Sequence, residues 1–241
     1  MSNIQKLCDD IIKWMKDKVE EAGSKGLVFG LSGGIDSAVM AGLAKKAFPD
    51  DALGIIMPCH SNPEDEEHAR LVAKALNLNT KTIELTKVYD LFLNELKDDT
   101  QHVLALSNIK PRFRMTTLYY FAQIKRYLVA GTSNKSEFTV GYFTKHGDSG
   151  VDILPMVDLL KEEVFQLASY LNIPDIIINK PPTAGLWEDQ TDEKEMGFSY
   201  RELDGYIKSG EAEESIKVKI EKMHIRSQHK RRFPLMYIRE E

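Results

Sequence analysis

Apolar residues recur at Ile4, Leu7, Cys8, Ile11, Ile12, Met15 and Val19. That is the spacing of one face of a helix, so the chain opens with an amphipathic helix in which Cys8 is a packing residue. After a Gly-Ser-Lys-Gly turn, the apolar run Leu27 to Leu31 predicts a strand, and SGGIDSAVMAGLAKKAF predicts a glycine turn opening a helix. LGIIMP at 53–58 predicts a second buried strand. Asn62 then supplies an N-cap, Pro63 a first helical position, and Glu64 and Asp65 a first-turn charge, for a helix reaching Leu76. Thr80 to Leu85 alternates as a strand, Val88 to Leu96 and Arg112 to Arg126 are helical, and YLVAGT at 127–132 is another strand. Helices follow at Leu159 to Leu171 and at 211–224, separated by NKPPTAGLWEDQTDE, a proline-rich polar loop of the length that serves as a lid. Strands alternating with helices predict an α/β fold, a single domain over residues 1–241 with a parallel sheet flanked by helices on both faces, Rossmann-like in layout.

Composition changes that picture little and narrows the function. The 241 residues are 42% hydrophobic and 29% charged, ordinary for a folded domain. A net charge of −5 argues against a dedicated nucleic-acid partner. The first helix is charged throughout, without the apolar core of a signal peptide or a membrane span, so the expectation is a cytoplasmic protein with no membrane partner. Cys8 and Cys59 form no CxxC pair, which suggests neither a disulfide framework nor a zinc site. The tail from about 225 to 241 carries a compact basic cluster, IRSQHKRRFP, in an otherwise acidic chain.

The most informative stretch is Gly30 to Ser37, GLSGGIDS. At a strand-to-helix junction, backbone N–H groups and the helix dipole face the same way, a site suited to phosphate oxygens. Gly33 and Gly34 let the backbone approach an anion closely, and Ser32 and Ser37 add hydroxyls. The loop lacks the Lys-Ser/Thr pair of a Walker A motif and does not fit GxGxxG. His60 and His68 have no consistent ligand set around them, and EDEEH at 64–68 is read as helix-start charge. Cys59, a lone cysteine without a positioned base, is read as structural, and Tyr119, Tyr120 and Phe121 as helix packing.

SGGIDS resembles the loop of the N-type ATP pyrophosphatases, the adenine nucleotide alpha-hydrolase-like group, which use ATP to adenylate a poor leaving group. Residues 131 to 164, GTSNKSEFTVGYFTKHGDSGVDILPMVDLLKEEV, resemble the second signature of the NAD synthetases in that group. The resemblance implies an ATP site built from Gly30, Leu31, Ser32, Gly33, Gly34, Ile35, Asp36, Ser37, Thr132, Lys161 and Thr183. It implies Mg²⁺ on Asp36 and Glu137, with ATP as co-substrate. It further implies contacts to deamido-NAD from Arg112, Lys145, Asp152, His229 and Lys230, although the family pattern has alanine where this chain has Pro111.

Activity is implied with them: the nicotinate carboxylate of deamido-NAD takes the adenylyl group of ATP, and ammonia then releases AMP, with no side chain acting as covalent nucleophile. The sequence begins almost directly in the synthetase region, which leads to the expectation of free ammonia as donor rather than an appended glutaminase. Family members are homodimers with sites at the interface, so a homodimer is implied. Two alternatives stand beside this reading at the level of sequence: another amidating or thiolating ATP pyrophosphatase, and an ATP-binding module without chemistry.

Overall fold

A computed structural model describes residues 3–97, 100–183 and 191–239. The elements run α1 (Asn3–Glu21), β1 (Gly26–Gly30), α2 (Ile35–Ala47), β2 (Ala52–Ile56), α3 (Pro63–Ala75), β3 (Asn79–Thr82), α4 (Thr86–Leu96), α5 (Val103–Ser107), α6 (Ile109–Lys125) and β4 (Tyr127–Val129). They continue as α7 (Lys135–Val140), α8 (Lys161–Tyr170), α9 (Asp175–Ile178), α10 (Asp192–Met196), α11 (Tyr200–Ser209) and α12 (Glu214–Arg226), followed by a 3₁₀ turn at Gln228–Lys230. The four strands form one parallel sheet in the order β3-β2-β1-β4.

Side-chain alternation splits the core in two. Leu27, Phe29, Ala52 and Ile56 face one side and pack with Met15 of α1, Met40 and Leu43 of α2, Val72 of α3 and Leu167 of α8. Val28, Leu53, Ile55 and Val129 face the other and pack with Tyr89 of α4 and Leu118 and Phe121 of α6. The parallel α/β sheet with helices on both faces is therefore present as the sequence predicts. Fully burying a side chain such as Leu43 or Leu167 contributes roughly 1.5–3 kcal/mol. A third apolar cluster, Val140, Met196, Phe198, Tyr200, Leu203 and Ile220, joins α7, α10, α11 and α12 beyond the sheet.

Several expected boundaries shift. The third strand is shorter than Thr80 to Leu85, and its residues Asn79 to Thr82 are all exposed because β3 is a sheet edge. The second strand stops at Ile56, two residues before Pro58. The last helix extends to Arg226, so the basic tail begins inside it. Pro111 sits in the first turn of α6, where a missing N–H is tolerated. The stretch read as a lid overlaps residues 184–190, which lie outside the described residues. Among the described residues no helix is long and apolar enough to cross a membrane.

Candidate active site

β1 ends at Gly30 and α2 starts at Ile35, so the glycine loop lies at the carboxyl edge of the sheet, where ligands of parallel α/β folds bind. Two serines brace it. Ser37 Oγ donates to Gly34 O at 2.9 Å and lies 3.1 Å from Ser32 Oγ, and Ser32 N donates to Ser37 Oγ at 3.2 Å. Gly33 has φ +82°, and a Cβ there would stand 2.3 Å from Asp65 O on α3. Glycine is thus required twice over, by backbone conformation and by helix contact. Gly34 caps α2 without any side-chain bond, leaving the helix N-terminus open to an anion.

Asp36, in the first turn of α2, meets two residues from distant parts of the chain. Asn134, fully buried, caps α7: its Oδ1 accepts from Glu137 N at 2.9 Å, while its Nδ2 donates to Asp36 Oδ1 at 2.8 Å. One amide therefore holds both carboxylate residues. Lys161 Nζ, on a side chain 1% exposed, lies 2.6 Å from Asp36 Oδ2 and 3.1 Å from Glu137 Oε1. A lysine opening a helix stands against the helix dipole, so local helix energetics do not explain its presence. Burial pushes the Lys161 ammonium down, but Asp36 and Glu137 outweigh it and hold the group above its ordinary value. Burial, then the neighbouring Asp36 charge, push the Glu137 carboxyl up to about 7, against the pull of Lys161.

Around this cluster is a cavity of about 610 Å³. Gly30, Leu31, Ser32, Gly34, Ile35, Asp36, Ser37, Thr132, Glu137, Thr183 and Lys230 all line it. Gly33 packs behind against α3, and Lys161 stands behind the two carboxylates. The remaining expected residues are placed elsewhere. Arg112 donates to Asn108 O and to Lys145 O, each at 3.2 Å, which puts Arg112 beside Lys145. Asp152 accepts from Tyr119 OH at 3.0 Å and Val129 N at 2.8 Å, and His229 is exposed. None of Arg112, Lys145, Asp152 and His229 lines the cavity. Lys230 Nζ is bonded to Gly141 O at 2.8 Å and Phe143 O at 2.7 Å, so it braces the cavity wall.

Among the cavity residues that escaped the sequence reading are Arg114, Lys180, Asp192 and Glu195. Arg114 donates to Met57 O and Ser61 Oγ, each at 3.2 Å. Lys180 reaches Asp65 Oδ1 at 2.6 Å and His68 Nδ1 at 3.1 Å, which accounts for the buried His68. Asp192 and Glu195 come from α10. The Asn-x-x-Glu capping box at 134–137 was a signal for Asn134; the others carry none in their local sequence. Cys59 is buried, and burial pushes its thiol up, as for an inert cysteine. His60 pairs with Asp90 at 2.6 Å. Tyr120 is 62% exposed, unlike the packed Phe121.

Among the described residues no group of three His, Cys, Asp or Glu side chains gathers as a metal cage. Asp36 and Glu137 nonetheless fit Mg²⁺: they are hard oxygen donors that meet at the Lys161 ammonium and both line the cavity, and Mg²⁺ is commonly held by one or two carboxylates together with substrate phosphates.

Fold and site together define an α/β protein of the nucleotide-binding layout, with a glycine loop and a two-carboxylate cluster at the sheet edge. The chain belongs to the NAD synthase family, whose sequence profile matches residues 7–234. An NH(3)-dependent NAD(+) synthetase of Carboxydothermus hydrogenoformans is 52% identical over 235 residues, 96% of this chain and 97% of that protein. Among solved structures, NMN synthetase from Francisella tularensis superposes with a TM-score of 0.94 at 37% identity, covering 98% of this chain and 99% of that one. The NH3-dependent NAD synthetase from Campylobacter jejuni, solved with nitrate, gives a TM-score of 0.84 at 31% identity, covering 98% and 100%.

Proposed function

We propose that the protein is an ammonia-dependent NAD synthetase, a carbon–nitrogen ligase. The nicotinate carboxylate of deamido-NAD attacks the α-phosphate of ATP and pyrophosphate leaves. Ammonia then attacks the activated carbonyl, giving NAD and AMP. The observation that carries this reading is the meeting of Asp36, Glu137 and Lys161 at the mouth of the glycine loop, in a chain of this family. The loop N–H groups and Ser32 and Ser37 hold the phosphates, Thr132 and Thr183 flank them, and Lys161, from behind, holds Asp36 and Glu137 in place beside them. Mg²⁺ held by Asp36 and Glu137 would supply further charge neutralisation there. No side-chain nucleophile is needed, because the carboxylate of the substrate attacks.

Arg112, Lys145, Asp152 and His229 are proposed as contacts to the deamido-NAD, and a homodimer is proposed with them. Support comes from their position outside the cavity of one chain and from the exposed apolar side chains Leu91, Leu104, Tyr120 and Ile124 on α4, α5 and α6. Exposed apolar side chains on neighbouring helices are the kind of surface a subunit interface covers. A cytoplasmic site of action belongs to the same proposal.

A second reading has one specific observation behind it, the 0.94 TM-score with the Francisella NMN synthetase. The same chemistry on nicotinate mononucleotide would give NMN. Incubation with ATP, Mg²⁺ and ammonium, with either deamido-NAD or nicotinate mononucleotide, separates the two. NAD and AMP in equal amounts from deamido-NAD, lost in Asp36→Ala and Glu137→Ala, is the expected result. Faster NMN formation selects the second reading, and no AMP from either acceptor overturns both.

A further inference from the structure

Helix α11 reaches the carboxylate cluster from behind. The Tyr200 hydroxyl lies 2.9 Å from Asp192 Oδ2 and 3.3 Å from Glu137 Oε1, and its ring lies under the Lys161 ammonium, 4.6 Å from Nζ to the centroid. One turn further on, Asp204 accepts from Ser136 Oγ and from Glu162 N at 3.0 Å, and Ser136 Oγ accepts from Lys161 N at 3.1 Å. Tyr200, Asp204 and Ser136 are all buried. One helix therefore fixes the backbone that carries Lys161 and touches the side chains of both Lys161 and Glu137.

A hydroxyl has one proton, so Tyr200 donates to one carboxylate at a time. The shorter contact goes to Asp192, whose Oδ1 is buried and has no hydrogen-bond partner among the described residues. A buried carboxylate holds its hydrogen bonds tightly, because water cannot replace them. Asp192 N donates to Pro182 O at 3.2 Å, so the same residue is anchored beside the Pro182-Thr183 turn. Tyr200 joins that turn, through Asp192, to Glu137.

We propose that Tyr200 is a positioning residue for the cation and phosphate site: its hydroxyl sets the spacing of Glu137 and Asp192, and its ring seats Lys161 between the carboxylates. The inference rests on the reading of Glu137 as a metal-holding carboxylate. Packing alone is the competing explanation, since the ring also contacts the apolar cluster of α7, α10 and α12. Tyr200→Phe separates the two, keeping the ring and removing the hydroxyl.

The full chain is titrated with Mn²⁺ in the presence of a non-hydrolysable ATP analogue, with free Mn²⁺ followed by electron paramagnetic resonance, and steady-state kinetics are measured in parallel. Tyr200→Phe weakens Mn²⁺ binding by about tenfold, the scale of one hydrogen bond to a charged group. It lowers kcat while leaving KM for the dinucleotide near wild type. Tyr206→Phe is the control: it removes a hydroxyl on the same helix, 3.0 Å from the exposed Glu221, and binds Mn²⁺ like wild type. Wild-type Mn²⁺ affinity in Tyr200→Phe, or equal loss in Tyr200→Phe and Tyr206→Phe, overturns the proposal. Failure of the wild type to form NAD or NMN would instead count against the assigned reaction and leaves the Mn²⁺ comparison intact.

Discussion

Lys161 Nζ stands 2.6 Å from Asp36 Oδ2, joining the first turn of α2 to the first residue of α8 across 125 positions of sequence. The ammonium is buried and also touches Glu137, so its single charge partly offsets two carboxylates that would otherwise repel each other more strongly. Removing one member of such a group costs more than the group contributes, because uncompensated charge is left in a poorly hydrated place. Lys161→Met is therefore expected to lose activity and to destabilise the ligand-free protein by about 3–5 kcal/mol. Added Mg²⁺ should recover part of that loss, and should raise the melting midpoint of the variant more than that of wild type. An unchanged midpoint without Mg²⁺ would sink the argument.

Gly33 couples the glycine loop to α3. Alanine there meets a left-handed backbone and Asp65 O at 2.3 Å, whereas alanine at Gly34 meets nothing closer than Ser32 Oγ at 3.5 Å. Gly33→Ala should lower stability by at least ~1–3 kcal/mol, the cost of a strained backbone position, and abolish binding of an ATP analogue. Gly34→Ala should unfold in urea near wild type. Equal urea midpoints for the two variants would show that the α3 contact is dispensable.

Half of this architecture is legible in the sequence, for a physical reason. Strands β1 and β2 are buried on both faces and read as apolar runs, and the long helix α1 shows its periodicity over several turns. The exposed edge strand β3 has no apolar signal to offer. Helices of four to six residues, such as α7 and α9, are too short for periodicity to register. The glycine loop is local chemistry and stands out, as does Asp36 within it. The partners of Asp36 are matters of folding: Tyr200 lies 63 residues from Glu137, and Lys180 lies 115 from Asp65, distances over which spacing carries no information.

The proposed dimer gives a test on α6. Tyr120 is 62% exposed and Ile124 58% exposed, one turn apart on one face, and Arg112 lies on the same helix. Tyr120→Glu combined with Ile124→Glu should shift sedimentation velocity from dimer to monomer and cut turnover sharply, with the fold retained by circular dichroism. A double variant that sediments and turns over as wild type would remove this face from the interface.

The pH response of the ligand-free protein follows from Glu137. Its carboxyl is pushed up to about 7 from an ordinary 4.5, first by burial and then by Asp36. Between those values the folded state binds more protons at this group than the unfolded state does, so stability falls as pH rises. The contribution is fully present below about pH 4.5 and is lost as pH climbs through 7. Lys161 is raised from 10.5, so its contribution is constant across this window. Asp192 is raised by burial and adds the same sign, but it is present in both proteins of the comparison. Glu137→Gln keeps an acceptor for Lys161 and cannot ionise. Its melting midpoint should gain on that of wild type between pH 5 and 8, while Mg²⁺ with an ATP analogue should stabilise wild type increasingly over the same range, because a cation held as proposed on Glu137 would require the ionised carboxylate. A difference between the two proteins that stays flat with pH, or that reverses, would mean Glu137 is already ionised near pH 5 and that Lys161 dominates its environment.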